Sequence, residues 1–305
     1  MNDHPFHSGF VSILGRPNAG KSTLLNALVG QKVAIVADKP QTTRTAIQGV
    51  LTLPQAQVVF VDTPGIHKAD TPLNKRLMDT VRASLEERDL LLFLADATRT
   101  LEREDRHAVD LVRSSGTPAI LVLTKIDLVK PKLALLPLIE QYQALFDFAD
   151  YLPVSAIKGT GLDELRRVIL ERLPEGPAYF PEDYITDQPE RFLAAELIRE
   201  KILAATRQEV PHSVAVIVDR WEETPRITRV YATIRVERPG QKAIVIGAGG
   251  VTLKRIGTLA RQEMERLLGV KIYLDLHVRV EAGWREKPAF LNALDWRTMA
   301  VKDDS

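Results

Sequence analysis

Eight residues, Gly15-Arg16-Pro17-Asn18-Ala19-Gly20-Lys21-Ser22, have the types and spacing to hold a chain of phosphates. Glycines let successive backbone N–H groups curl around anionic oxygens, and the first turn of a following helix adds its positive dipole end. A lysine at the seventh position reaches the β- and γ-phosphates, and a hydroxyl directly after it serves Mg²⁺. An apolar run at 10–14 precedes the segment and a helical pattern at 22–29 follows it, which is the strand–loop–helix context this chemistry needs. Gly15, Asn18, Ala19, Gly20, Lys21, Ser22 and Thr23 are therefore the candidate phosphate-binding positions.

Two further groups select among nucleotides. Asp62-Thr63-Pro64-Gly65 closes the apolar run 58–61, where the aspartate can hold Mg²⁺ through water and Gly65 can donate its N–H to a γ-phosphate. Thr124-Lys125-Ile126-Asp127 ends the run 119–123, and Ser155-Ala156 follows the run 151–154. A carboxylate at Asp127 accepts from both N1–H and the 2-amino group of guanine, a pair that adenine lacks. Lys125 can lay its aliphatic stem on the base, and Ser155-Ala156 can offer a backbone N–H to the guanine carbonyl. GTP and GDP with Mg²⁺ are the ligands these residues predict.

The elements that position these groups follow from periodicity. Continuous apolar runs at 10–14, 58–61, 90–95, 119–123 and 151–154 alternate with helical segments such as 74–87, where Leu77, Val81 and Leu85 recur every fourth residue. That alternation predicts a doubly wound α/β domain with a mostly parallel sheet over 1–173. Four prolines between 173 and 189 break the pattern and predict a linker at 174–189. The remainder, 190–305, predicts an α+β domain. It runs from a helix near 189–205 to strands around 230–236 and 270–280. Between those strands, Ile246-Gly247-Ala248-Gly249-Gly250 opens a helix at 251–268 with Leu253, Ile256, Leu259, Met264 and Leu267 on one face. A GxxG loop between helices, in the order helix, strand, strand, short helix, loop, helix, strand, is the type II KH arrangement, which clamps single-stranded nucleic acid. Lys242, Lys254 and Arg255 place positive charge near Ile246, Gly247, Ala248, Gly249 and Gly250, and these eight are the candidate RNA-binding residues.

These ordered motifs resemble TRAFAC-class GTPases and, within them, the bacterial Era family. The segments GRPNAGKSTLLNAL, QTTRT, DTPGIH, PEDYITD and VIGAGG carry the likeness, which spans nearly the whole chain. The resemblance implies that Thr43, with Thr42 as second choice, coordinates Mg²⁺ beside Ser22 and Asp62. It implies catalytic roles for Lys21, Thr43, Gly65 and Asn18, and K⁺ acting near the phosphates beside Asn18. It also implies binding to the 3′ end of small-subunit (16S) rRNA, work on the 30S subunit, a monomer, and peripheral contact with the cell membrane.

Two positions depart from the pattern. Thr124 stands where the family has asparagine, so the full set of amide hydrogen bonds is lost. Ile66 stands where many GTPases have the glutamine that orients water, which predicts slow intrinsic hydrolysis. His67 reads as a solvated switch-loop residue. An RNA-binding adaptor with a nearly inactive nucleotide domain is the rival reading; an RNA-modification GTPase would need a further catalytic domain.

Composition agrees with these expectations. The 305 residues include no cysteine, which excludes disulfides and cysteine metal sites and fits a cytoplasmic address. Apolar stretches are too short to span a bilayer. A net charge of +1 hides a slightly acidic front and a slightly basic rear, so a polyanion would meet the rear.

Overall fold

The computed structural model describes residues 5–39, 41–66, 71–206 and 210–296. The chain forms two compact units, one comprising Met1–Ala34, Thr43–Asp70 and Asn74–Asp187, the other Ile35–Thr42, Thr71–Leu73 and Gln188–Ser305. His67 lies outside the described residues.

The first unit is a six-stranded sheet. Its strands are β1 (His7–Gly15), β2 (Ile47–Leu53), β3 (Ala56–Asp62), β4 (Leu90–Asp96), β5 (Ala119–Thr124) and β6 (Asp150–Pro153), in the order β2-β3-β1-β4-β5-β6. All neighbouring pairs are parallel except β2 with β3. The helices are α1 (Lys21–Val29), α2 (Pro72–Ala83), α3 (Arg103–Ser115), α4 (Leu136–Gln143) and α5 (Leu162–Arg172). The continuous apolar runs have their explanation in two separate cores. Leu90, Leu92 and Leu94 pack with Leu24, Leu28 and Leu165 from α1 and α5. The intervening Leu91, Phe93 and Ala95 pack with Val81, Val109 and Val112 from α2 and α3. Alternate side chains of one strand thus bury on opposite faces.

Two expectations need correction here. Strand β2 was not among the apolar runs, because Gly49 interrupts it and its sequence alternates weakly. The stretch expected as a linker is bonded along this sheet through residue 187. Val50 donates to the Ile185 carbonyl at 2.8 Å, and Thr186 Oγ1 donates to the Gln48 carbonyl at 2.7 Å. Gln57, fully buried, accepts from the N–H groups of Tyr179 and Phe180 and donates to the Phe180 carbonyl. An edge strand leaves backbone groups unpaired, and this proline-rich segment satisfies them.

The second unit places α6 (Glu190–Ala205), α7 (Val210–Ser213), α8 (Pro239–Ile246), α9 (Val251–Leu268) and α10 (Pro288–Ala293) with the sheet β7 (Ala215–Glu223), β8 (Thr228–Val236) and β9 (Ile272–Val280). Strand β8 is antiparallel to β7 and parallel to β9. Its core joins Leu197, Ile198 and Ile202 to Val230, Ile234, Ile256 and Met264. Leu259 is corrected: it is 42% exposed, and Ala260, fully buried, takes the core-facing position one residue on. After β9 the chain turns back on its own unit. Trp284, fully buried, donates Nε1–H to the Ser213 carbonyl at 3.0 Å, and Trp296 meets Phe192 at 6.5 Å between ring centres.

Candidate functional site

The phosphate loop is built at the end of β1. Gly15 has φ +148°, and a Cβ there would lie 2.6 Å from the Leu94 carbonyl oxygen, so the β1–β4 pairing leaves no room for a side chain. Asn18 (φ 64°) and Gly20 (φ 91°) adopt the left-handed turn that makes neighbouring N–H groups converge. Arg16 braces the loop from outside, donating to Asp105 at 3.0 Å and Glu102 at 2.9 Å, both at the start of α3. Sequence reading did not identify this brace.

Lys21, Ser22 and Thr23 open α1, with Lys21 and Ser22 buried and Thr23 half-buried. Lys21 Nζ donates to the carbonyls of Arg16 at 2.9 Å and Gly15 at 3.2 Å, which curls its side chain over the loop. Burial pushes its ammonium down to about 8, with the Asp62 charge pulling in the opposite sense. A bound phosphate supplies the anion this lysine lacks.

Ser22, Thr43 and Asp62 meet at one point. Asp62 Oδ2 accepts from Ser22 Oγ at 2.6 Å and from Thr43 Oγ1 at 3.2 Å, and the two hydroxyls are 3.0 Å apart. Asp62 is fully buried, and its Oδ1 has no hydrogen-bond partner. Burial raises its carboxyl above the ordinary value, against the pull of Lys21, Ser22 and Thr43. Two hydroxyls and an unsatisfied carboxylate oxygen are the donors a small hard cation prefers, so these residues fit Mg²⁺ held with a nucleotide's phosphates. When bound, that ion neutralises phosphate charge. Thr42 is excluded from this cluster: its hydroxyl donates to the carbonyls of Lys39 at 2.5 Å and Ala37 at 3.1 Å.

Gly65 lies against the loop. A Cβ there would meet the Pro17 backbone at 2.8 Å, and the next residue's N–H donates to the Gly15 carbonyl at 3.1 Å. That residue, Ile66, is 1% exposed in the α2–α3 core, so it offers nothing to a water molecule.

The base-reading residues converge at the ends of β5 and β6. Asp127 Oδ1 accepts from Ser155 Oγ at 2.6 Å, and that bond holds its carboxyl below the ordinary value. Ser155 departs from expectation. Its backbone N–H already donates to Thr160 at 2.9 Å, so the side chain orients Asp127 and only Ala156 keeps the candidate backbone role. Lys125 sits in the left-handed region (φ 59°), and its Nζ bonds Asp96 Oδ2 at 2.7 Å. Burial would raise the Asp96 carboxyl, yet Lys125 and Thr98 outweigh it and hold it low. Asp96, which fixes the far end of that stem, was not legible as a site residue. Thr124 Oγ1 donates to the Ala19 carbonyl at 2.8 Å, with Ala95 O at 3.2 Å. The threonine thus keeps a tie to the phosphate loop.

In the second unit, α8 ends at Ile246 and α9 begins at Val251, so Gly247 to Gly250 form the turn between them. Gly247 has φ +73°, and any Cβ would collide with the Thr252 side chain. Ala248 and Gly249 are exposed; Ile246 is partly buried against the core. Beside the turn runs a groove of about 390 Å³ lined by Gly250, Leu253, Lys254, Gly257, Thr258, Arg261, Leu274 and Leu276. It gathers Gly250 and Lys254 from the expected residues. Arg255 is exposed on the same helix and Lys242 is half-buried on α8, and neither lines the groove. Arg261, one helical turn beyond Gly257, adds a charge that sequence reading missed.

Comparison with known proteins identifies both domains. A family model described as a 50S ribosome-binding GTPase matches residues 10–125, and a KH-domain model matches residues 209–285. The chain is a P-loop GTPase with a C-terminal KH domain. It is 47% identical over 298 residues to GTPase Era of Geobacter metallireducens, covering 97% of this chain and all of that one. Two crystal structures match at TM-score 0.92 and 41% identity, each over 95% of this chain and 99% of the other. One is Era in complex with MgGDPNP and nucleotides 1506–1542 of 16S ribosomal RNA. The second is a variant of Aquifex aeolicus Era bound to GDP and AlF4⁻. The chain belongs to the Era family of GTPases. Among the described residues, no single helix is long and apolar enough to cross a membrane.

Proposed function

We propose that this chain hydrolyses GTP to drive a switch whose KH domain binds the single-stranded 3′ end of 16S rRNA during assembly of the small ribosomal subunit. The observation that carries the reading is the pairing of two intact sites in one chain. Ser22, Thr43 and Asp62 stand together for Mg²⁺, and the Gly247–Gly250 turn opens onto a groove with Lys254 and Arg261 at its wall. A relative similar over both units is bound to MgGDPNP and to 16S rRNA nucleotides, which supports giving both ligands to this chain.

In this reading Gly15 to Thr23 cradle the phosphates of GTP or GDP. Lys21 neutralises them, and Gly65 donates to the γ-phosphate. Asp127, held by Ser155, reads guanine, while Lys125 and Ala156 complete the base site. GTP with its cation fixes Thr43 beside Ser22 and Asp62, and hydrolysis releases that threonine. With Ile66 buried in the core, water orientation falls to other groups, so intrinsic turnover is slow. K⁺ beside Asn18 is the cation proposed to compensate; equal turnover in Na⁺ and K⁺ would remove that part. The protein acts as a cytoplasmic monomer on the 30S subunit, and any membrane contact is peripheral.

The test is fluorescence anisotropy on a labelled 3′-end RNA, with GDP and with a non-hydrolysable GTP analogue. Tighter binding with the analogue, lost in Gly247→Asp, supports the switch. Equal affinity in both states, together with negligible steady-state hydrolysis, would instead favour an RNA-binding adaptor.

A further inference from the structure

The stretch that leads into Thr43 is packed as part of the second unit. Its entry is fixed at the end of α1. Asn26 Oδ1 accepts from the N–H groups of Val33 and Ala34 at 2.9 Å each, and Asn26 Nδ2 donates to the Ala34 carbonyl at 2.8 Å. One residue later Ile35, 1% exposed, lies in the core formed by α6, α9 and the three-stranded sheet, and Ala37 packs against the same cluster.

Two consecutive charged residues of α6 then hold the stretch, and both are buried. Glu200, 6% exposed, accepts from the Val36 N–H on Oε1 at 2.8 Å. Arg199, 2% exposed, donates through Nη2 to the Thr42 carbonyl and through Nη1 to the Gln41 carbonyl at 3.4 Å. Glu196 balances its charge, accepting from Nε at 2.7 Å and Nη2 at 2.5 Å. Burying a guanidinium is unfavourable unless its donors are matched, and here they are matched by Glu196 and by the Gln41 and Thr42 carbonyls. The Thr42 carbonyl belongs to the planar peptide that ends on the nitrogen of Thr43. Fixing its oxygen orients that peptide and so the direction in which Thr43 leaves it.

We propose that Arg199 and Glu200 are positioning residues for GTP hydrolysis. They hold Ile35–Thr42 in the shape that presents the Thr43 hydroxyl beside Ser22 and Asp62, where Mg²⁺ accompanies the nucleotide. Glu200, unlike Arg199, is also tied to α9, near the end of that helix remote from the Gly247–Gly250 turn. Glu200 Oε2 accepts from Lys201 at 2.7 Å, and Lys201 also pairs with Glu263 on α9, the helix that starts at that turn. The positioning role does not depend on the RNA-binding part of the function proposed above.

The experiment compares wild type with Arg199→Lys, which keeps the charge beside Glu196 but lacks the fork that spans two carbonyls. Mn²⁺ affinity is measured by electron paramagnetic resonance in the complex with a non-hydrolysable GTP analogue, without RNA. Single-turnover hydrolysis is then followed over a Mg²⁺ titration. Loss of a charge-assisted hydrogen bond predicts about tenfold weaker Mn²⁺ binding and a similar rise in the half-saturating Mg²⁺ concentration. A folded variant with wild-type values in both would overturn the proposal. Should Arg199→Lys fail to fold, Glu200→Gln, of the same shape, is read in the same two assays. It is expected to weaken Mn²⁺ about threefold, and unchanged values there refute the positioning role equally. RNA affinity that ignores the nucleotide in wild type, alongside the metal shift in the variants, would leave the positioning role standing and remove the switch reading alone.

Discussion

Replacing Thr124 tests whether a single hydroxyl shapes the phosphate loop. The residue is 5% exposed, and its one donor proton faces the Ala19 carbonyl at 2.8 Å, closer than the Ala95 carbonyl at 3.2 Å. Thr124→Val preserves volume and places a methyl group against that carbonyl. The change removes a hydrogen bond of about 1 kcal/mol and leaves a buried acceptor short of a partner, for a total of about 1–2 kcal/mol. Ala19 lies between Asn18 and Gly20, whose left-handed conformations form the anion nest. The loss should therefore fall on nucleotide affinity, weakening GDP about tenfold. Thr124→Ser keeps the donor and should stay within about twofold of wild type. Thr124→Asn can bond Ala19 with one amide hydrogen and offer the other to the base, so GDP should bind about fivefold more tightly. Competition against a fluorescent guanine nucleotide at saturating Mg²⁺ measures all three. A valine variant with wild-type GDP affinity and wild-type thermal midpoint would refute the idea that this hydroxyl holds the loop.

Three further outcomes follow from the same geometry. Lys21 titrates at about 8 in the free protein because it is buried, and bound phosphates restore its charge. Above that pH the complex holds a proton that the free protein lacks, so GDP affinity should fall about fivefold between about pH 8 and about pH 9. A flat profile from about pH 7 to about pH 9 would show that Lys21 is charged throughout. Asp127→Asn replaces an acceptor by an amide that can donate. GTP should bind about a hundredfold more weakly and xanthosine triphosphate should gain, as judged by competition for the same site. Trp284→Ala empties a fully buried site and removes the indole donor from the Ser213 carbonyl. It should lower unfolding stability by about 3–5 kcal/mol in urea titrations, and a loss below about 1 kcal/mol would place the Trp284 turn outside the folded core.

The parts of the site that could be read from sequence are those in which chemistry dictates spacing. Gly15, Lys21 and Ser22 must sit where one turn of backbone wraps a phosphate, so the order of residues is itself the geometry. The same holds for Asp127, since a carboxylate at the end of β5 has few other uses. Other parts depend on partners distant in sequence. Ser155 looks like a backbone donor until the bridge to Thr160 takes its N–H. Asp96 is one acid at the end of a strand until Lys125 folds onto it. The proline-rich stretch reads as a tether by composition, and only the unpaired edge of β2 turns it into a bonded flank of the sheet. Arg199 and Glu200 are least legible of all. Charge on a helix predicts a solvated face, and α6 buries residues on every side, so no periodicity marks which charges point inward.

Burial perturbs two charged groups of the nucleotide site in opposite senses. The site buries Lys21 with a depressed ammonium, and Asp62 with a raised carboxyl and one oxygen lacking any partner. Each costs folding free energy in the absence of ligand, because desolvation exceeds what the neighbours return. Phosphate supplies the counter-charge to the lysine, and a divalent cation supplies it to the aspartate. By mass action, a nucleotide and cation that bind the folded protein stabilise it. The cluster also includes Thr43, whose hydroxyl shares the Asp62 oxygen with Ser22. A cation held there would draw on that threonine, while Arg199 holds the neighbouring Thr42 carbonyl. The chain between Asn26 and Thr43 is therefore fastened at its start and along its middle and conditional at its end.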